Sequence, residues 1–521
     1  MDGRFVPTET CAAVCDSNLG CLACQPGTGT CDGEVSHTCL PDGSAIVDVT
    51  CDPVQGMACD AGTGLCEGAC APQTLGKSYL GCDYYPTVTA NTVDSNFHFA
   101  VAIANSTAEF AEILIEGGGA SAPQSFALAP FAVEVRTLPW VEPLKACTSL
   151  GSAVGCGYLT VPAALVSNGA YRIRSKRPVT VYQFNPLEFQ IGTQRSFSND
   201  ASLLAPVTAM SNSYMAVAWP AWDSGGVWSG PSPGLLAITA TAADTHVTVT
   251  TTANTVAASG APAFTAGVPQ TVTLQRGDVL QMTATIGDLT GSRVTADHPV
   301  QVIAGHYCTE VPAGIGNCDH LEESMFPIET LGDDYLVAAP VVPSLPDGKP
   351  EIVRIVATEP ATTLTFDPPQ NAPASIAEAG GVVEIPATAE SFRVTANHRI
   401  LVAQYMQGVN AGGQAGDPSM SLVVATKQFR TDYIFHVPAT YLTNYINVVA
   451  PTSAVVELDG MPLHGFTPLG ASGFGVLHLE LASGNHIVMA DAPVGISVYG
   501  YGPATSYWYP AGLDLKPLTI L

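Results

Sequence analysis

From Tyr79 to the C-terminus, apolar and polar residues alternate in short runs broken by Gly, Pro and Asn/Asp. The runs FHFAVAIAN, LLAITATAADTHVTVTT, EIVRIVATEPATTLTF and YINVVAPTSAVVEL are rich in β-branched residues and show no sustained helical period. Alternation of this kind, bounded by turn residues, is the signature of strands. The body of the chain is therefore expected to be all-β.

The pattern also recurs on a larger scale. YRIRSKRPVTVYQF (171–184), SRVTADHPVQVIAG (292–305), FRVTANHRILVAQY (392–405) and HIVMADAPVGISVY (486–499) share a strand, a tight turn and a second strand. Their turns align at Pro178, Pro299, Arg399 and Pro493. Proline is tolerated where a strand begins, because no ladder donor is lost there. Three repeats open alike, with SYMAVAWPA at 213, DYLVAAPVV at 334 and DYIFHVPAT at 432. A period near 100 residues suits a β-sandwich and is about twice a propeller blade. The expected architecture is all-β, with tandem β-sandwich-like repeats behind a small disulfide-rich module. The boundaries read as 1–71 for the module, then repeats at 72–205, 206–330, 331–427 and 428–521, the last with a C-terminal tail.

Cysteine usage changes the picture at the N-terminus. Ten of the 15 cysteines lie between Cys11 and Cys70, in a turn-rich stretch poor in large apolar residues. Such a segment cannot bury much core and needs cross-links, which places it in an oxidising compartment. The spacings after Cys21 and Cys24 lack a second close pair of the zinc type. The start, MDGRFVPTET, has no basic or apolar signal character, so an export signal or a lipid anchor removed from this form of the chain is expected. No apolar run is long enough to span a bilayer.

Lys plus Arg total 18 against 45 Asp plus Glu, a net charge of −27. That field repels polyanions and excludes nucleic acid as a partner. Hydrolase elbow, zincin, Walker and dinucleotide motifs are all missing. Arg276-Gly277-Asp278 reads as hairpin chemistry rather than an adhesion tripeptide. Asn105-Ser106-Thr107 is an N-glycosylation sequon.

The densest chemistry is GHYCTEVPAGIGNCDHLEE, from Gly305 to Glu323. It admits three readings: a metal site using Asp319, His320, Glu322 and Glu323 with His306, a recognition loop, or a stapled turn. Asp319 and His320 would point to opposite faces of a strand, which weighs against one shared ion. In an oxidising compartment Cys308 and Cys318 pair rather than bind metal, and the polar residues then serve loop backbone and the neighbouring strand. Cys147 and Cys156 bracket a second loop of the same kind, which leaves Cys82 as the odd cysteine of the body. Trp219, Trp222 and Trp228 sit among Gly and Pro, either as recognition anchors or as plugs at a sandwich end. No catalytic residue, cofactor or metal site is assigned, and a bound Ca2+ is the one cofactor left open.

Through Pro299, Val300, Gly305, Cys308, Cys318, Asp319, His320, Leu321, Glu322, Pro327, Gly332 and Tyr335, the chain resembles the IgGFc-binding protein N-terminal domain family. The resemblance covers roughly 79–505 and departs from the usual pattern at Met325 and Leu331. The cysteine-rich start is similar to modules of bacterial secreted or lipid-anchored proteins. The resemblance implies an extracellular or outer-surface binding and adhesion protein, without catalysis, whose partner is a protein or glycan on a surface. A structural surface-assembly component, joined through aromatic loops or Cys82, is the alternative. A hydrolase built from residues of different repeats is the third reading.

Overall fold

The computed structural model describes residues 14–16, 20–40, 42–145, 162–223, 230–411, 413 and 415–520. It is all-β, with tandem β-sandwich-like repeats following a disulfide-rich module, and its sheets curl into half-barrels. Cys147, Cys156 and Trp228 lie outside the described residues.

In three of the repeats one long bent strand belongs to both layers of a sandwich. The first half of Tyr171–Phe184 pairs with Ala111–Gly117 and Gly81–Tyr84, and its second half with Phe99–Asn105 and Ala201–Leu203. Arg293–Thr309 behaves alike, pairing first with Thr245–Thr250 and Ser211–Met215, then with Gly234–Ala240 and Asp319–Ser324. So does Gly484–Gly502. The bends fall at Pro178, Pro299 and Pro493. Where Arg399 replaces proline, the two halves are separate strands, Phe392–Ala396 and Ile400–Met406, in two four-stranded sheets.

The shared opening motif has a physical reason. Tyr335 and Tyr433 of that motif, and Tyr84 in the first repeat, are buried, and each hydroxyl donates to a carbonyl just after the bend, at Ile400 (2.6 Å), Val494 and Val179 (2.6 Å), while the motif's Tyr214 hydroxyl accepts Ser211 N at 2.9 Å. The Tyr335 and Tyr433 hydroxyls also accept the amides of Gly332 and Arg430 three residues back. Each tyrosine thus pins its opening strand to the corner of its sandwich.

Outer strands show the expected alternation: in Ala111–Gly117, Ile113 and Ile115 are buried and Glu112 is exposed. By contrast Phe99–Asn105, Gly234–Ala240 and Glu351–Ala357 are buried along their whole length. One face packs inside a sandwich and the other against neighbouring repeats. Four exit strands, Ala201–Leu203, Asp319–Ser324, Ser419–Leu422 and Thr505–Pro510, contact one another in succession, and the last meets the first. The ring is closed a second time at the termini, where Tyr79 N donates to Leu513 O and Leu515 N to Lys77 O.

In the N-terminal module Cys24–Cys39, Cys31–Cys59 and Cys51–Cys66 are bonded. Cys82 is not an odd cysteine: it is bonded to Cys70 and ties the module to the first sandwich. Arg174 reinforces that junction with an ion pair to Asp52 at 2.9 Å. An interchain bridge through Cys82, one route to surface assembly, is thereby removed.

The tyrosine latch is testable. Tyr335→Phe deletes one hydroxyl that serves both Gly332 N and Ile400 O, and is expected to cost about 1–3 kcal/mol, read as a lower urea midpoint with an unchanged m-value.

Candidate functional site

The segment flagged in the sequence is a hairpin within the second sheet. Arg293–Thr309 runs out and Asp319–Ser324 returns antiparallel, with Gly305 opposite Glu322 and His306 opposite Leu321. A Cβ on Gly305 would lie 1.8 Å from Leu321 O, so the strands approach this closely only with glycine there. Cys308 and Cys318 are bonded across the hairpin mouth. The stapled loop rests on the third repeat, where Gly408 N donates to Val311 O at 3.0 Å. Gly408 in turn admits no side chain, because Ile315 O would be 2.1 Å from its Cβ.

Asp319, His320, Glu322 and Glu323 lie on a strand, not in a polar loop, and all four are 0% exposed. His320 and Glu322, two apart, share the face toward the first repeat. Glu322 Oε2 accepts from Thr89 Oγ1 at 2.6 Å and Asn185 Nδ2 at 3.1 Å, and Oε1 from Gln183 Nε2 at 2.9 Å. Asp319 accepts from Asn199 N at 2.7 Å and Thr505 Oγ1 at 3.0 Å, which links the first and fourth repeats.

The centre of this network is a residue the sequence reading missed, Asp200. Its carboxylate accepts from Ala201 N (3.0 Å), Glu322 N (3.1 Å), Ser419 Oγ (2.6 Å), Met420 N (3.1 Å) and Trp508 N (3.4 Å). Those donors stand on the exit strands of all four repeats. Burial pushes the Asp200 carboxyl well above the usual range, and the donors from Ser419, Met420 and Glu322 pull it back. Burial also raises Asp319, with Asp417 and Asp200 adding to it, and Glu323, with Asp200 adding. His306, sealed in the core, is held down to about 3 by the same desolvation. A signal for Asp200 existed: SND at 198–200, CDH at 318–320 and GDP at 416–418 each stand before or at the start of an exit strand.

This arrangement is not a hydrolytic relay, although Thr89, His320 and Glu322 converge from two repeats. The Thr89 hydroxyl binds the carboxylate directly, with His320 Nε2 only 3.2 Å to the side. In a relay the imidazole stands between hydroxyl and carboxylate, and its Nδ1 is held by the acid. Here His320 Nδ1 has no hydrogen-bond partner among the described residues, and no solvent path reaches the group. Among the described residues no His/Cys/Asp/Glu group has the arrangement of a metal site.

Other candidates are absorbed by packing. Trp219 is 6% exposed, held between the Arg354 guanidinium at 4.4 Å and Tyr405 at 4.8 Å, so it plugs a seam between repeats. Trp222 is half-buried and bridged to Ser232. Asn105 of the sequon is wholly buried, and its Nδ2 donates to Glu109 O, Leu128 O and Ala129 O.

Three outcomes follow from this geometry. Asp200→Ala orphans donors on four strands and is expected to cost at least about 3 kcal/mol in chemical denaturation. Burial raises the Asp417 carboxyl from 3.8 to about 7, so its contribution to stability is whole below pH 3.8 and is lost as the pH rises through about 7. Asp417→Asn is therefore expected to melt a few degrees above the parent protein at pH 8, with the gain vanishing near pH 4. Expressed in a glycosylating host, the folded chain is expected to carry no glycan on Asn105, and peptide mass mapping that finds one there contradicts the buried carboxamide.

The family described as IgGFc binding protein matches residues 200–500. The human IgGFc-binding protein is 27% identical over 322 residues, which is 60% of this chain and 6% of that protein. The chain thus spans a small fraction of the length of this relative. The expected bacterial secreted or lipoprotein branch is corrected by this match to a human protein; a turn-rich, cysteine-dense start is common to small disulfide modules and carries no lineage. By the match over more than half its length, the chain belongs to the IgGFc-binding protein family.

Proposed function

We propose that this protein is an extracellular, non-catalytic binding and adhesion module that engages a protein or glycan surface. One observation carries the reading: the most reactive-looking segment of the chain, Asp319–Glu323, is enclosed and engaged in joining four repeats. With the carboxylates and imidazole of that segment committed inward, the outer faces are left for contact. The disulfides Cys24–Cys39, Cys31–Cys59, Cys51–Cys66, Cys70–Cys82 and Cys308–Cys318 support an oxidising, extracellular setting. Among the described residues no helix is long and apolar enough to cross a membrane. Family membership supports binding as the activity, and the relative's name makes IgG Fc one ligand to test.

The purified chain is expected to be retained on at least one of immobilised mucin, polysaccharide or IgG Fc, equally with and without EDTA. Absence of retention on every surface would sink the adhesion reading, and loss with EDTA would show that a cation takes part.

A further inference from the structure

The turn Gln275–Asp278 of the second repeat leans on Asn168–Ala170 of the first, and a pocket of about 390 Å3 opens where they meet. Ala170 N donates to Gly277 O at 3.0 Å and Asn168 N to Asp278 Oδ1 at 2.9 Å, so both walls are held. Gly277 has φ +81°, and a Cβ there would come within 2.9 Å of Asn168 Oδ1, so glycine is needed for the turn and for the contact. The Asp278 carboxylate is turned onto Gln275 N and Asn168 N. The tripeptide 276–278 therefore does not present a free Arg and Asp together.

What it presents is Arg276. The other charges of the pocket are paired: Arg172 with Asp83 through Nε at 2.9 Å and Nη2 at 2.6 Å, and Glu116 with Arg174 at 2.7 Å. Arg276 is exposed and its Nε donates to Thr241 O at 3.1 Å. Among the described residues no carboxylate lies within 4.0 Å of its guanidinium nitrogens. In a chain with 45 acidic and 18 basic residues, a guanidinium without an acid partner at the mouth of a pocket stands out.

We propose that this pocket binds a carboxylate-bearing saccharide unit, with Arg276 forking onto the carboxylate and Asn168 and Glu116 taking sugar hydroxyls. A guanidinium matches a carboxylate in a planar, two-bond geometry that an ammonium does not reproduce. A hydroxyl both donates and accepts, which suits a wall carrying a carboxamide and a carboxylate. The volume, about 390 Å3, is that of a small-molecule site rather than of a groove for an extended peptide, and Tyr85, the aromatic ring among its described lining residues, is buried beneath Arg172. The inference rests on the surface-binding reading above and names a ligand class for it.

The test is titration calorimetry of the whole chain with sialyllactose, with a glucuronate-containing disaccharide and with lactose. Binding to one or both acidic sugars, with lactose at least tenfold weaker, is expected. Arg276→Gln should weaken acidic-sugar binding at least tenfold, with Arg276→Lys recovering only part of it. Each variant is compared with the parent by thermal melting, so that a folding defect is seen as such. Lack of binding to either acidic sugar at millimolar concentration, or binding that Arg276→Gln leaves intact, overturns the proposal. Retention on mucin or IgG Fc that persists in Arg276→Gln would leave the adhesion reading standing while removing this site from it.

Discussion

One buried carboxylate sets how the four repeats sit. Asp200 belongs to the first repeat, yet it accepts donors from the exit strands of the second, third and fourth as well as its own. Burying a carboxylate costs several kcal/mol, and only well-placed donors offset that. A slip of one residue on an exit strand would turn its backbone amides to the opposite edge, and on the third repeat's strand turn the Ser419 hydroxyl to the opposite face, leaving the carboxylate unanswered. We regard the hub as a device of specificity more than of net stability: apolar packing would hold four sandwiches together, but it would not choose one arrangement.

The rest of the molecule follows from this constraint. The exit strands must reach the centre, so each long strand runs through both layers of its sandwich and bends on the way. The bend is placed by proline in three repeats, and tyrosine hydroxyls tie the opening strand to the corner in the first, third and fourth. Gly305 and Gly408 let the second hairpin and its stapled loop press against backbone that no side chain would clear. The resulting body is polar at its centre, and the polar groups there are closed off from solvent. In the proposed binding role, contact with a ligand would fall to loops and seams at the outside, as is usual for sandwich scaffolds.

Much of the architecture was legible in the sequence because strands write their period locally. Alternation, β-branched runs and the recurring strand–turn–strand pattern are short-range properties, and they led to an all-β repeated chain. The candidate site was legible only in part. Asp319, His320, Glu322 and Glu323 stood out by density, but Thr89 and Asn185 lie more than 130 residues from His320, and Gln183 lies 139 from Glu322. Asp200 looked like an ordinary turn residue because its partners come from three other repeats. Trp219 similarly has the local setting of an exposed loop aromatic, and its cover, Arg354 and Tyr405, comes from the next repeat.

The sequence by itself determined the strand content, the repeat and the cross-linked character of its cysteine-dense start. Each of these depends on composition or on neighbours a few residues apart. Tertiary structure alone decided that the acidic cluster faces inward, that Cys82 joins the module to the body, and that the Asn105 carboxamide is buried. It also placed Arg276, which has no acid partner among the described residues, at the mouth of a pocket between two repeats. Burial and pairing depend on which distant residues fill the space around a group, and chain order does not record that.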